Sequence, residues 1–544
     1  MAHVSLVGPE IEENLSLRYL ASSLARAGHT SDLVPFNQAG DFAYALEAVL
    51  AKAPLVVGIS LAFQWRANDF LAFAVALRER GYQGHIAFGG HFATFATKEL
   101  LVDFPEITSI VRQESEETFA ALTSALANGE DWRALPGLAY RDERGVPILT
   151  AEAALPDLAQ LPYPDRRGEP AACFGHGIAP LVASRGCYAN CSFCCIAAWH
   201  EQSLPGKRYR LRDVEAVADE MVSMKRERGV DVFVFHDDNF FLPGHKKNFE
   251  RLSSLADALQ KRDIGPFATV VKARPTDVSD EVFSVLKHRL GCIRAYIGIE
   301  TDADQGLETL RRWSHAKQNK KSIDTVRRLD LYTCFNMLIF DPDTDLDALT
   351  TNIAFLRYAP EFPSNFGRVE LYAGTPLLHR MKQEGRVRGD YMQWDYSLAT
   401  PEVERVFDLT MRCFYERNFG NDALSNRIMG TRFDVEIVKH FHPEVHRAAW
   451  SEEGKELSRI LTLSGADALE RIVEHVRRGA PATEDTPLVD ELAAGLRDAE
   501  SRIRGRARAL AIELSGAVGR GKPLTEIGDV VATPLQTQRS APAA

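Results

Sequence analysis

The chain of 544 residues has no cysteine before Cys173. No apolar run reaches the roughly 18 residues of a membrane span. The start, MAHVSLVGPEIEEN, lacks a basic stretch followed by an apolar one and does not read as a signal peptide. Positive charge is in deficit: 64 Lys and Arg face 75 Asp and Glu, giving −11 and a pI near 5.8. A phosphate-backbone binder is normally basic, so no nucleic-acid partner is expected. No repeat of about 20–50 residues is visible, which excludes a solenoid. These absences imply a cytoplasmic protein without a membrane segment. Thiols stay reduced there, so clustered cysteines are expected to bind metal or do chemistry, not to form disulfides.

What is present is a chain too long for one core, with an ordinary 45% hydrophobic fraction; about three domains are expected. Apolar runs at 3–8, 53–63, 84–92 and after Ile107 alternate with helical patterns, as in a doubly wound parallel sheet over 1–150. Ligands of such sheets sit at the strand C-termini. The expected rim is therefore 8–14, 60–65, 89–94 and 113–117. Residues 151–178, with LPYPDRRGEP, read as a linker. A second β/α series has strands at 179–184, 230–238, 267–273, 292–300, 334–341 and 368–374, enough for a partial (β/α)6 barrel over 179–400. The pattern over 401–520 is helical, expected to close the barrel mouth, with 417–427 as a candidate closure lining. Residues 521–544 lack a core pattern and read as a disordered tail.

The segment SRGCYANCSFCCIAAWH (184–200) holds Cys187, Cys191, Cys194 and Cys195. Thiolates select zinc or an iron–sulfur cluster. A zinc site needs a fourth ligand, which His200 could supply, but the spacing fits no paired knuckle and no second C-x2-C follows. A cubane takes four thiolates in the ordinary case. Cys195 adjoins Cys194, and neighbouring side chains of an extended segment point apart. Three ligands, Cys187, Cys191 and Cys194, on a [4Fe–4S] cluster with one open iron is the reading that remains.

C-x3-C-x-aromatic-C after a first barrel strand resembles the signature of radical S-adenosylmethionine (SAM) enzymes. The resemblance implies that SAM chelates the open iron and is cleaved to a 5′-deoxyadenosyl radical, with Phe193 near the adenine. Asp237 and Asp238 in HDDNF resemble the acidic segment ending the next strand. Glu300 in YIGIE resembles the G-x-E strand ending near SAM, and Arg274 is placed to contact the SAM carboxylate. ELYAGTPL (370–377) resembles a segment that closes the barrel in the cobalamin-dependent subclass.

The first 150 residues resemble the cobalamin-binding domain of that subclass. The matching pieces are LVGPEIEENLSLRYLASSLARAGH, with Pro9 and Asn14, then VVGIS with Ser60, FGGHFAT with Gly89, Gly90 and His91, and QESEET with Glu114 and Glu116. The resemblance covers roughly residues 1–400. Methylthiotransferases, which carry three cysteines in their N-terminal domain, are excluded. The D-x-H-x-x-G motif that supplies a histidine to cobalt in other methyltransferases is absent. The loop Phe63-Gln64-Trp65-Arg66 is expected to cover the lower face of cobalt, with Trp65 the chosen residue. QESEET has Ser115 where the family commonly has glycine.

The resemblance implies a radical C-methyltransferase that acts on a specialised metabolite or peptide natural product through methylcobalamin. It also implies a flavodoxin- or ferredoxin-type reductant. Non-methylating rearrangement or cyclisation, polar methylation of a nucleophilic carbon, and a non-enzymatic cobalamin sensor or carrier are the alternatives. The oligomeric state is left open. Cys334, in the apolar run CFNMLIF, reads as a packed thiol.

Overall fold

A computed structural model describes residues 1–201, 208–420 and 422–524. The expected tail lies almost wholly outside them. The first sheet has seven strands: β1 (His3–Gly8), β2 (Thr30–Pro35), β3 (Val56–Ser60), β4 (His85–Gly89), β5 (Ser109–Val111), β6 (Leu138–Arg141) and β7 (Pro147–Leu149), ordered β2-β1-β3-β4-β5-β6-β7. The first five are parallel; β6 and β7 add an antiparallel edge. The order reverses between β1 and β3, which makes their C-terminal ends a switch point suited to a ligand. The strand β2, TSDLVP, escapes the hydrophobic pattern because it is a half-exposed edge ending in proline.

The second sheet begins inside the expected linker. β8 (Ala171–Cys173) runs antiparallel to β9 (His176–Leu181). A short ribbon of β10 (Ser184–Gly186) and β11 (Tyr209–Leu211) brackets the cysteine loop. The parallel strands β12 (Val230–Phe235), β13 (Ala268–Ala273), β14 (Cys292–Ile297), β15 (Tyr332–Phe340) and β16 (Ser364–Arg368) complete the order β16-β15-β14-β13-β12-β9-β8. The last strand lies earlier than 368–374. Residues after Arg368 instead lead to Thr375, which caps the helix Pro376–Gln383.

Alternation along the strands divides the side chains. Phe233, Val271, Ala295 and Phe335 pack under the surrounding helices, whereas Val232, Val234, Val270, Ile293, Tyr332 and Cys334 form a second apolar cluster with the helix Leu424–Phe441. That helix is buried on nearly every face. Lys439 pairs with Asp330 at 2.6 Å, and His440 Nε2 lies 2.8 Å from the Phe267 carbonyl oxygen, both just ahead of strand starts. The helical region therefore closes the bottom of the half-barrel, whereas the sequence had suggested the mouth. The physical reason is the apolar concave face, which needs an apolar partner there. The helices Ala448–Arg477 and Asp485–Val518 pack outside it. Among the described residues no helix is long and apolar enough to cross a membrane.

Candidate active site

The cysteine loop leaves the top of β9 through β10. Gly186 has φ +82°, and a Cβ there would lie 2.0 Å from the Arg208 carbonyl oxygen, so only glycine allows the ribbon to turn. All three candidate ligands are free thiols. Each has a donor or a helix start aimed at it. The Ala189 N–H donates to Cys187 Sγ at 3.3 Å, and Arg312 Nη1 donates to Cys191 Sγ at 3.4 Å. Cys194 sits at the start of the helix Cys195–Glu201, and the Ile196 and Ala197 amides favour its thiolate. Burial nonetheless raises the Cys187 and Cys194 pKa values, so a metal must displace their protons. Donors to sulfur are the contacts that tune an iron–sulfur centre, and this donor set fits one. Among the described residues no three Cys, His, Asp or Glu side chains converge as ligands of a single ion do. Thiols on a cubane instead bind separate irons. His200 does not join them; its Nε2 lies 4.0 Å from Asp238 Oδ2.

Glu300, Arg312 and Arg274 gather beside this loop. Glu300 has φ +64°, unusual for a glutamate, held by its N–H to the Asn336 carbonyl and its carbonyl to the Leu338 N–H. Its carboxylate lies 3.8 Å from Arg312 Nη2. A Cβ on Gly298 would come within 2.8 Å of Glu300 Oε1, so the glycine of G-x-E is what lets the acid fold back. Burial raises the Glu300 pKa, against the pull of Arg312 and Arg274. The Arg274 guanidinium covers the Tyr188 ring at 5.6 Å and donates to the Arg312 carbonyl. Phe193 packs half-buried against the barrel core. Asp237 is spent on the fold: its oxygens accept from the Ala183 N–H at 3.1 Å and from the Ser184 hydroxyl. It does not line the cavity described next, whereas Asp238 does.

That cavity, about 770 Å³, lies between the two sheets. Pro9, Asn14, Ser60, Gly89, Gly90, His91 and Glu116 line it from the first domain, and Cys195, Trp199, His200, Asp238 and Tyr372 from the second. Its volume is at the upper end for ligand pockets. Gly90 has φ +102°, and a Cβ would lie 2.8 Å from the Leu61 backbone. Asn14 serves partly as a helix cap, accepting from the Leu17 N–H at 3.3 Å. The His91 ring meets Trp199 with centroids 4.1 Å apart. Burial pushes the His91 pKa down to about 4, so the ring is neutral. Burial alone would raise Asp238; His200, His91 and the Gly186 N–H outweigh it and lower its pKa. Gln64 and Glu116 each keep a buried side-chain oxygen with no protein partner, which suits a ligand rich in donors. Cys195 lines this cavity; the other three thiols do not. Its pKa is pushed up to about 12 by burial.

Trp65 is the exception. Phe63 and Gln64 line the cavity and Trp65 does not. Residues 64–66 form one 3-10 turn, which spaces successive side chains about 120° apart. Arg66 is tied to the Asn37 carbonyl at 2.6 Å and to Asp69 at 2.7 Å, so Gln64 takes the cavity side and Trp65 stacks on Phe63.

The sequence reading missed Arg185, two residues before Cys187. Its Nη1 lies 2.8 Å from Glu114 Oε2, its Nη2 2.7 Å from Glu116 Oε1, and its guanidinium 4.7 Å from the Tyr19 ring centroid. Arg210 also pairs with Glu114. Burial alone would lower the Arg185 pKa, but Glu116 and Glu114 outweigh it and raise it. QESEET is thus the socket that fixes the cysteine loop to the first domain. The signal lay in the unexplained Arg185 of S-R-G-C, but its partners are 71 and 69 positions away.

Comparison with known proteins agrees with this geometry. Residues 5–123 match the B12-binding domain and 181–351 the radical SAM superfamily. An uncharacterized methyltransferase of Pyrococcus horikoshii is 24% identical over 391 residues, 71% of this chain and 78% of that protein. The hopanoid C-3 methylase of Methylococcus capsulatus is 26% identical over 75% of this chain and 77% of its own. The anaerobic magnesium-protoporphyrin IX monomethyl ester cyclase of Synechocystis sp. is 26% identical over 70% and 75%. In fold, the cobalamin-dependent SAM radical enzyme OxsB superposes with TM-score 0.67 at 16% identity, over 95% of this chain and 80% of that one. The methyltransferase TsrM of Kitasatospora setae gives 0.57 at 18%, over 70% and 75%. With a cobalamin domain, a radical SAM domain and a helical C-terminal region in order, the chain belongs to the cobalamin-dependent, methyltransferase-like radical SAM enzymes, whose cofactors are a [4Fe–4S] cluster, SAM and cobalamin.

Proposed function

We propose that the protein is a C-methyltransferase acting on a carbon centre of a specialised metabolite or peptide natural product in the cytoplasm. The observation that carries this reading is the shared cavity. His91 and Glu116 of one domain and Cys195, Trp199 and Asp238 of the other line one space, directly behind the cysteine loop. Bound there, the cofactors supply a carbon-centred radical and a transferable methyl group. The chain's own residues position and exclude water. Cys187, Cys191 and Cys194 hold the cluster, and Phe193, Arg274, Glu300 and Asp238 border the SAM side. Pro9, Asn14, Ser60, Gly89, Gly90, His91 and Glu116 border the cobalamin side, with Gln64 in place of Trp65 beneath it. Neutral His91 and the carboxylate of Asp238 keep a polar seam between the two sides. The substrate would enter between them, and a flavodoxin- or ferredoxin-type protein would supply electrons.

A second reading, rearrangement or cyclisation without methyl transfer, is favoured by the cyclase among the relatives. Anaerobically reconstituted enzyme, given candidate substrates, SAM and reductant, separates them. Methylation by the radical route yields 5′-deoxyadenosine and S-adenosylhomocysteine together. Deoxyadenosine without the homocysteine product supports the second reading. S-adenosylhomocysteine alone indicates polar methylation.

A further inference from the structure

The segment RRWSHAKQNKK, residues 311–321, contains no acidic residue in a chain of net charge −11. Arg311, Trp313, His315, Lys317, Lys320 and Lys321 are all exposed. Trp313 is 77% exposed, the most of any large apolar residue after Met1 among the described residues. Arg311 and Trp313 have φ +50° and +54°. Bulky residues seldom adopt that region, and strain of this kind persists only where surrounding structure imposes it. The imposing residue lies between them. Arg312 is buried, and donates to Cys191 Sγ at 3.4 Å and to the Gly298 carbonyl at 2.5 Å. An exposed indole therefore follows directly a side chain that touches a candidate cluster thiol. With neighbouring Cα atoms 3.8 Å apart, the surface at Trp313 lies on the order of 10 Å from that sulfur.

The patch continues beyond this segment. Gln318 donates to the Pro275 carbonyl at 3.1 Å, and His245 Nε2 lies 2.9 Å from the Thr276 carbonyl oxygen. One turn thus joins the 311–321 segment to the exposed Lys246 and Lys247. The same turn carries Asp277, which accepts from the Tyr188 hydroxyl at 2.7 Å, next to Cys187. The opposing acids are few: Asp302 pairs with Lys320 at 3.7 Å, Glu250 lies 3.9 Å from Lys246, and Asp304 and Glu308 are exposed on the preceding helix.

We infer that this basic patch around Trp313 is the docking surface for a small acidic one-electron carrier protein of the flavodoxin or ferredoxin type. The inference rests on the radical SAM reading, which requires one electron per SAM cleavage. A patch of one sign steers a partner of the other, and an aromatic at its centre supplies the apolar contact typical of an interface anchor. In the transfer, the flavodoxin hydroquinone anion gives up one electron and becomes the neutral semiquinone, with no proton released, as the oxidised cluster gains that electron.

The test compares wild-type holoenzyme with the triple variant Arg311→Glu/Lys317→Glu/Lys321→Glu and with Trp313→Ala. The readouts are the Kd for purified flavodoxin and the rate of cluster bleaching, with flavodoxin hydroquinone or dithionite as donor. The triple variant should weaken flavodoxin binding and slow its reduction of the cluster about tenfold or more, and lose most of the salt dependence. Trp313→Ala should weaken binding without altering that dependence. Bleaching by dithionite, which needs no protein docking, should be unchanged in both. Flavodoxin reduction at the wild-type rate overturns the inference, as does an equal slowing with both donors. A wild-type protein that dithionite cannot reduce would instead overturn the radical SAM reading.

Discussion

Replacing Arg185 with alanine tests the joint between the two domains. The substitution removes a guanidinium that is 16% exposed from between Glu114 and Glu116, 10% and 7% exposed. Arg210 still neutralises Glu114. Glu116 is left as a buried carboxylate without a cation, and Tyr19 loses the charge over its ring. Breaking a buried pair by removing one partner costs about 3–5 kcal/mol. At roughly 2–4 °C per kcal/mol for a domain of this size, the first unfolding transition should fall by ~10 °C. Differential scanning calorimetry on Arg185→Ala, Glu116→Gln and the double variant measures this. The double variant should recover part of the loss, because it no longer strands a charge, with a coupling of about 1–3 kcal/mol. Since Arg185 lies two residues before Cys187, cluster content after reconstitution should fall as well. An Arg185→Ala protein within a degree or two of wild type, with strictly additive effects, would refute the socket.

Three further outcomes follow from the same geometry. Folded His91 has a pKa of about 4 against 6.5 unfolded, so the unfolded chain binds the extra proton between those values. Its contribution, about 3 kcal/mol, is present in full above pH 6.5 and is lost as pH falls toward 4; stability profiles of His91→Gln should be flatter over that window. Gly90→Ala puts a Cβ against the Leu61 backbone at φ +102°, costing about 1–3 kcal/mol in strain alone; a cobalamin titration should show weakened binding alongside a lower melting temperature. Cys195→Ser should keep the visible absorbance and EPR signal of a [4Fe–4S] cluster while Cys194→Ala loses it; equal iron loss in both would overturn the ligand assignment.

The elements legible in the sequence were those that signal locally. The cysteine spacing, the G-x-E ending and the strand–helix alternation each occupy a few consecutive residues, and the structure finds the elements there. What was illegible joins distant residues or depends on a turn's phase. Arg312 reaches Cys191 across 121 positions, and Arg185 reaches Glu114 across 71. The choice between Gln64 and Trp65 turns on a single 3-10 turn anchored by Arg66. Asp237 and Asp238 are adjacent and chemically identical, yet one closes the turn after β9 and the other faces the cavity. The helix Leu424–Phe441 reads as just another helix until the apolar concave face it fills is known.

The proposed chemistry requires that one chain hold both an open-iron cluster and cobalamin beside the shared cavity. EPR of the anaerobically reconstituted, reduced protein, recorded with and without SAM and with cobalamin quantified in the same sample, tests it most directly. The expected result is a [4Fe–4S] signal that shifts on adding SAM, with cobalamin bound in equal amount to protein. A cobalamin-loaded protein with no cluster signal, or with one indifferent to SAM, would contradict it.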